Sequence, residues 1–338
     1  MNTRDEIVDA MNGENRDLPP PMVFTQTATT SQMRACGASW PEANSDPVAM
    51  ARLSMQASRG FGFAMARVPF CLTVEAEGFG CDVDMGTADR QAMVTGSPYR
   101  SMDIPDVPEM PEPEVFASTG RRRVVLDACE RIRKEGEDLF LVSACVAPMI
   151  VASHILGAEN LLMATIMDPD AVLRWERAVT PCIAGYASRL SEVSDGVCIV
   201  TEGNADFIHP DTFETFVTPF TGAVLEGVKD SYGILHCCGD TSPTIGKLAS
   251  LGADGLVVET DRNPEGVLKT VGGRVRLFGG INPVKGMMMG TPDDMIRSAK
   301  RYAGIGYDMI CPECGIPPQT TDANMLALSR YRECRTRS

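Results

Sequence analysis

Short apolar runs alternate with helical stretches along almost the whole chain, and this alternation limits the folds open to it. The runs are 22–25 (MVFT), 63–70 (FAMARVPF), 138–144 (DLFLVSA), 195–203 (DGVCIVTEG), 232–238 (YGILHCC), 254–259 (DGLVVE), 274–282 (RVRLFGGIN) and 307–311 (YDMIC). Helical patterns follow at 46–59, 116–136, 148–166, 169–193, 211–229, 242–251, from Pro264, 291–303 and from Asp322. Strands separated by helices pair in parallel through right-handed crossovers. Eight such units predict a (β/α)8 barrel. An open doubly wound sheet would want a Gly-rich phosphate loop after its first strand, and VFTQTATT is not one. At 338 residues the chain fits one barrel domain with additions.

Two additions are expected. Residues 3–12 read as an N-terminal helix, opened by a Thr3/Glu6 capping box and ended at Gly13. Residues 69–115 read as a long irregular insertion after the second strand, Pro-rich at 104–113 and lying over the barrel mouth. Asp46-Pro47, Asp168-Pro169 and Thr291-Pro292 mark helix starts, because proline at the first helical position gives up an N–H that would be unpaired anyway.

The formal charge of −14 argues against nucleic acid, since phosphate binding needs a basic surface. No apolar run approaches the roughly 20 residues that span a bilayer, and MNTRDEIVDAM lacks signal architecture. Several of the twelve cysteines sit inside apolar runs, as Cys145, Cys198 and Cys237 do, where free Cys behaves as a small hydrophobe. A reducing cytoplasm and free thiols are expected.

Chemistry gathers at ILHCCGDTSP, 234–243. Strand side chains alternate faces, so His236 and Cys238 share one face and Cys237 points to the other. An imidazole and a thiolate side by side suit a borderline-soft metal, above all Zn2+. A second cluster, CPECG at 311–315, follows the last run, and Cys314 is read as the third ligand. Three ligands leave one position open, the pattern of a catalytic zinc. Two other readings of Cys311 and Cys314 stand beside this one: a redox dithiol, or Cys311 as a fourth ligand closing a structural site.

Other candidates also lie at strand ends. Glu259 is either a weak fourth ligand or a helix-capping acid that meets Arg262. Arg67 either holds an anionic substrate group or makes a structural ion pair. Asn282 opens the turn NPVKG, which either cradles an anion on its N–H groups or is simply tight. Glu75 and Glu77 read as solvated loop acids, and His154 and His209 as ordinary.

Taken together, LHCCGDTSP, GADGLVVE, LFGGINPVKGMMMGTPDDM and CPECGIPPQT resemble the uroporphyrinogen decarboxylase superfamily. Within it they resemble the zinc branch, the methylcobamide:coenzyme M methyltransferases of methanogenic archaea. TQTATTSQMRACGASWPEA and RVPFCLTVEAEGFGCDVDMG agree. The resemblance implies a (β/α)8 barrel, one zinc per chain on His236, Cys238 and Cys314, and a carboxylate beside it at Glu259. It implies methyl transfer from a methylated corrinoid protein to coenzyme M. The Arg-Gln-Ala-Gly-Arg run of the decarboxylases is missing from TQTATTSQMR, which disfavours tetrapyrrole chemistry. Methyl transfer to homocysteine or tetrahydrofolate, or a corrinoid-protein binder with a structural zinc, are the competing readings.

Overall fold

The computed structural model describes residues 2–14, 17–25, 28–99, 104–135, 138–259 and 263–334. Seven parallel strands form one sheet: β1 (Met65–Arg67), β4 (Phe140–Val146), β5 (Gly196–Val200), β6 (Tyr232–Cys237), β7 (Gly255–Val258), β8 (Arg276–Ile281) and β9 (Met309–Pro312), in that order. They match the second to eighth apolar runs. Most are buried on both faces, as parallel strands covered by helices must be. Their side chains belong to one core cluster that extends from Ile7 to Tyr331.

The first run does not form a strand. Residues 22–25 make no ladder, and only an isolated bridge joins Pro21 to Ile310 of β9. The cause is local. Pro19, Pro20 and Pro21 have no N–H to donate, so the segment gives Met22 N to Ile310 O and takes Ile310 N on Pro20 O, and no more. On the other side, the Phe24 carbonyl accepts from the side chain of Arg67 in β1. The segment thus touches both edge strands of the sheet.

The insertion is more ordered than its composition suggests. It holds a short helix, Val74–Gly78, and an antiparallel ribbon of β2 (Asp82–Asp84) and β3 (Met93–Gly96). The short helix seats Glu75 against the end of β4, where Glu75 accepts from Val146 N at 3.1 Å. The ribbon reaches the segment after β9, through Gln319 to the Asp89 carbonyl. Residues 104–112 then run along the helix Pro169–Val193, whose Trp175 and Cys182 donate to the carbonyls of Pro105 and Pro111.

The N-terminal helix forms as Arg4–Met11, with its capping box complete. The stretch 148–166 is not one helix. It breaks at Gly157, φ +87°, into Pro148–Leu156 and Ala158–Met167, bent by 108°. No single described helix is long and apolar enough to cross a membrane.

Candidate metal centre

His236 lies one residue before the end of β6, and Cys238 just after it. Glu259 follows β7, Asn282 follows β8, and Cys314 lies two residues past β9. All therefore sit at the C-terminal edge of the parallel sheet, the side on which such folds carry their chemistry.

Three of these side chains converge. His236 Nε2 is 3.1 Å from Cys238 Sγ, and Cys238 Sγ is 2.9 Å from Cys314 Sγ across 76 positions of sequence. They form a group whose donor atoms all lie within 4.8 Å of one another. The His236 ring is 2 % exposed. Cys237 points away, as strand alternation demands, and burial pushes its thiol well up. Cys311 is fully buried in β9 opposite Gly280 and lies outside the group.

The neighbours hold this arrangement. Thr25 donates to the Cys314 carbonyl at 2.7 Å. Glu313 is fully buried and accepts from Gly280 N. After Cys238 the chain turns at Gly239, φ +78°, where a Cβ would lie 2.2 Å from the Asn204 amide. Gly239 N donates to Glu259 Oε1 at 3.0 Å. Glu259 thus braces the turn and stays outside the three-residue group. Arg262, its suggested partner, lies outside the described residues.

The two sulfurs are too close to ionise independently. The hydrogen bond from Cys238 favours the thiolate on Cys314, and the Gly315 N–H adds to this. The same contact pushes the Cys238 thiol up. Two sulfurs and an imidazole at this spacing fit a zinc ion by donor type. The ring is also oriented for it. His236 Nδ1 lies 3.2 Å from the Val257 carbonyl, the outer contact that metal-binding histidines usually make.

Other candidates fall differently. Arg67 is 1 % exposed and makes no ion pair among the described residues: its Nε donates to Phe24 O at 3.3 Å and its Nη1 to Pro69 O. Burial pulls its pKa down to about 10. Asn282 caps its own turn, its Oδ1 accepting from Val284 N and Lys285 N while its carbonyl takes Gly286 N and Met287 N. Those N–H groups are therefore spent on Asn282 itself, and the turn is no open anion cradle. Glu75 is not solvated: it is 2 % exposed, and burial lifts its carboxyl to about 7. Glu77 pairs with Arg121 at 2.7 Å. His209 caps a helix, and burial pulls His154 down to about 4.

Sequence reasoning missed Thr25, Glu313 and Glu202. Glu202 lies two residues past the end of β5, and burial raises its carboxyl. For the two acids the available signal was a carboxylate within two residues of the end of a buried parallel strand.

The family model described as uroporphyrinogen decarboxylase (URO-D) matches residues 2–333, and the chain belongs to that family. Its curated relatives place it in the methyltransferase branch that the sequence resembled. Methylcobamide:CoM methyltransferase MtaA of Methanosarcina barkeri is 31 % identical over 333 residues, 97 % of this chain and 96 % of the relative. Methylcobamide:CoM methyltransferase MtbA of Methanosarcina acetivorans is 28 % identical over 98 % of this chain and 96 % of its own length. A solved methyltransferase from Methanosarcina mazei superposes with a TM-score of 0.92 at 31 % identity, covering 98 % of this chain and 99 % of that one. The chain is an enzyme of this methyltransferase type.

Proposed function

We propose that this enzyme moves a methyl group from a methylated corrinoid, carried by a partner protein, to the thiol of coenzyme M, and that it does so in the cytoplasm of a methanogen. The reading takes residues 1–338 as one domain, with segment 20–24 completing an eight-stave barrel between β9 and β1. One observation carries it: His236, Cys238 and Cys314 meet at the C-terminal edge of the sheet with donor atoms within 4.8 Å of one another.

In this reading His236, Cys238 and Cys314 hold one Zn2+, and Glu259 supports the turn beneath it. Zn2+, when bound, deprotonates an incoming thiol near neutral pH. The chain's own residues set the rest. With His236 neutral and both cysteines as thiolates, the protein ligands contribute two negative charges. These offset the ion's charge, so an added substrate sulfur remains electron-rich and nucleophilic. The thiol proton leaves to solvent. The site that His236, Cys238 and Cys314 would form would present this sulfur to the methyl group of the corrinoid substrate, the new C–S bond replacing the methyl–cobalt bond, whose electron pair would stay with the corrinoid.

Zinc-edge spectroscopy with and without coenzyme M tests the reading. It requires one nitrogen and two sulfurs around the metal before the thiol is added and one more sulfur after. An unchanged ligand sphere on saturation with the thiol would sink it. Parallel assays with homocysteine and tetrahydrofolate discriminate the acceptor.

A further inference from the structure

Resting on that reading, we infer that Arg67 binds the acidic end of the acceptor thiol and so sets the enzyme's preference for an anionic acceptor.

Arg67 pairs in register with Val142, Val142 with Gly196, and Gly196 with Tyr232. Paired residues in a parallel sheet share a face, and Tyr232 and His236 are four apart on one strand. Arg67 and His236 therefore project from the same face. A second chain of contacts ties Arg67 to the cysteines. Its Nε donates to the carbonyl of Phe24, and the next residue, Thr25, donates to the carbonyl of Cys314. The Phe24 ring stacks on Phe278 at 4.8 Å, and Phe278 is in register with Val257, which is in register with His236. Arg67 thus shares a sheet face with His236 and is linked through Phe24–Thr25 to the backbone of Cys314.

Arg67 also has donors left unmet. A guanidinium has five N–H donors and carries a charge at any working pH. Buried charges are normally paired. Arg67 is 1 % exposed, its bonded acceptors are neutral carbonyls, and its Nη2 has no acceptor among the described residues. Glu75 is within electrostatic reach, but burial keeps that carboxyl protonated up to about pH 7. A sulfonate or carboxylate on the substrate would supply the missing counter-charge with charge-assisted hydrogen bonds. The rival candidate, the Asn282 turn, has its N–H groups occupied.

The test is calorimetric titration of the zinc-loaded enzyme with 2-mercaptoethanesulfonate, with uncharged 2-mercaptoethanol, and with ethanesulfonate, which has no thiol. Wild type is expected to prefer the sulfonated thiol by about 10- to 100-fold, the worth of a hydrogen bond to a charged group. Arg67→Met should lose that preference and bind 2-mercaptoethanol within about 3-fold of wild type. A preference retained in Arg67→Met overturns the assignment, as does its absence in wild type. Should Arg67→Met fail to fold by circular dichroism, Arg67→Gln decides: it keeps N–H donors but carries no charge, and an unchanged preference counts against Arg67. Failure of the wider reading looks different. Ethanesulfonate would still bind through Arg67, while no thiol sulfur would enter the zinc ligand sphere.

Discussion

His236 and Val257 meet across neighbouring strands, with the imidazole Nδ1 3.2 Å from the valine carbonyl oxygen. A carbonyl can only accept, so Nδ1 carries the proton and Nε2 turns its lone pair toward Cys238. The backbone of β7 thus sets the tautomer of a side chain on β6, and no neighbouring acid is needed for it.

The ligand assignment predicts a sharp contrast among the cysteines. Alanine at His236, Cys238 or Cys314 should abolish zinc retention through gel filtration. Cys311→Ala should keep about one zinc per chain, as a residue outside the ligand set must. Glu259→Ala should weaken zinc affinity by roughly 10-fold, the usual effect of losing an outer support. Metal analysis with a competing chelator measures all five. Equal losses at Cys311 and Cys314 would favour the closed, structural site.

Removing the metal should expose a second chemistry. Cys238 and Cys314 Sγ stand 2.9 Å apart. In zinc-free protein, diamide should take two electrons and two protons from this pair and leave a disulfide. Peptide mapping should find Cys238 joined to Cys314, and zinc uptake should return only after reduction. A different pairing, or none, contradicts the geometry.

Gly239→Ala should damage the site without touching a ligand. The position has φ +78°, and a methyl there would collide with Asn204. A loss of about 1–3 kcal/mol in urea unfolding is expected from the backbone strain, with weaker zinc binding because Cys238 precedes the turn.

Glu176 gives the chain a pH-dependent weakness. It is fully buried, and neither carboxylate oxygen has a hydrogen-bond partner among the described residues. Burial raises it from 4.5 to about 9. Below pH 4.5 folded and unfolded chains both keep the proton. Between 4.5 and about 9 only the unfolded chain releases it, so stability falls as pH rises through that window. Glu176→Gln should match wild type near pH 4 and exceed it by about 4 kcal/mol at pH 7.5. Urea melts at both values test the difference, and equal stability at pH 7.5 would refute the account.

Seven of the eight expected strands were legible because parallel strands buried on both faces read as continuous apolar runs. The first was not, because three prolines cost it the donors that a ladder needs, although its position beside β9 is kept by Met22 and Ile310. The His236–Cys238 spacing was readable from the period of two. For Arg67 the strand end left two readings open, an anion holder or a structural ion pair, since a short strand ending in Arg-Val-Pro has no polar alternation to decide between them. Glu75 misled for a related reason: an acid on a loop looks solvated until the short helix Val74–Gly78 is seen to press it against β4.

Cys314 lies 76 positions after Cys238, so His236 and Cys238 are made well before it. A growing polypeptide leaves the ribosome from its N-terminus. It therefore presents two donors long before the third exists, and two donors hold an ion weakly. On the proposed ligand set, metal capture must therefore wait for Cys314 to be made, and a chain that stops short of it is left with two donors.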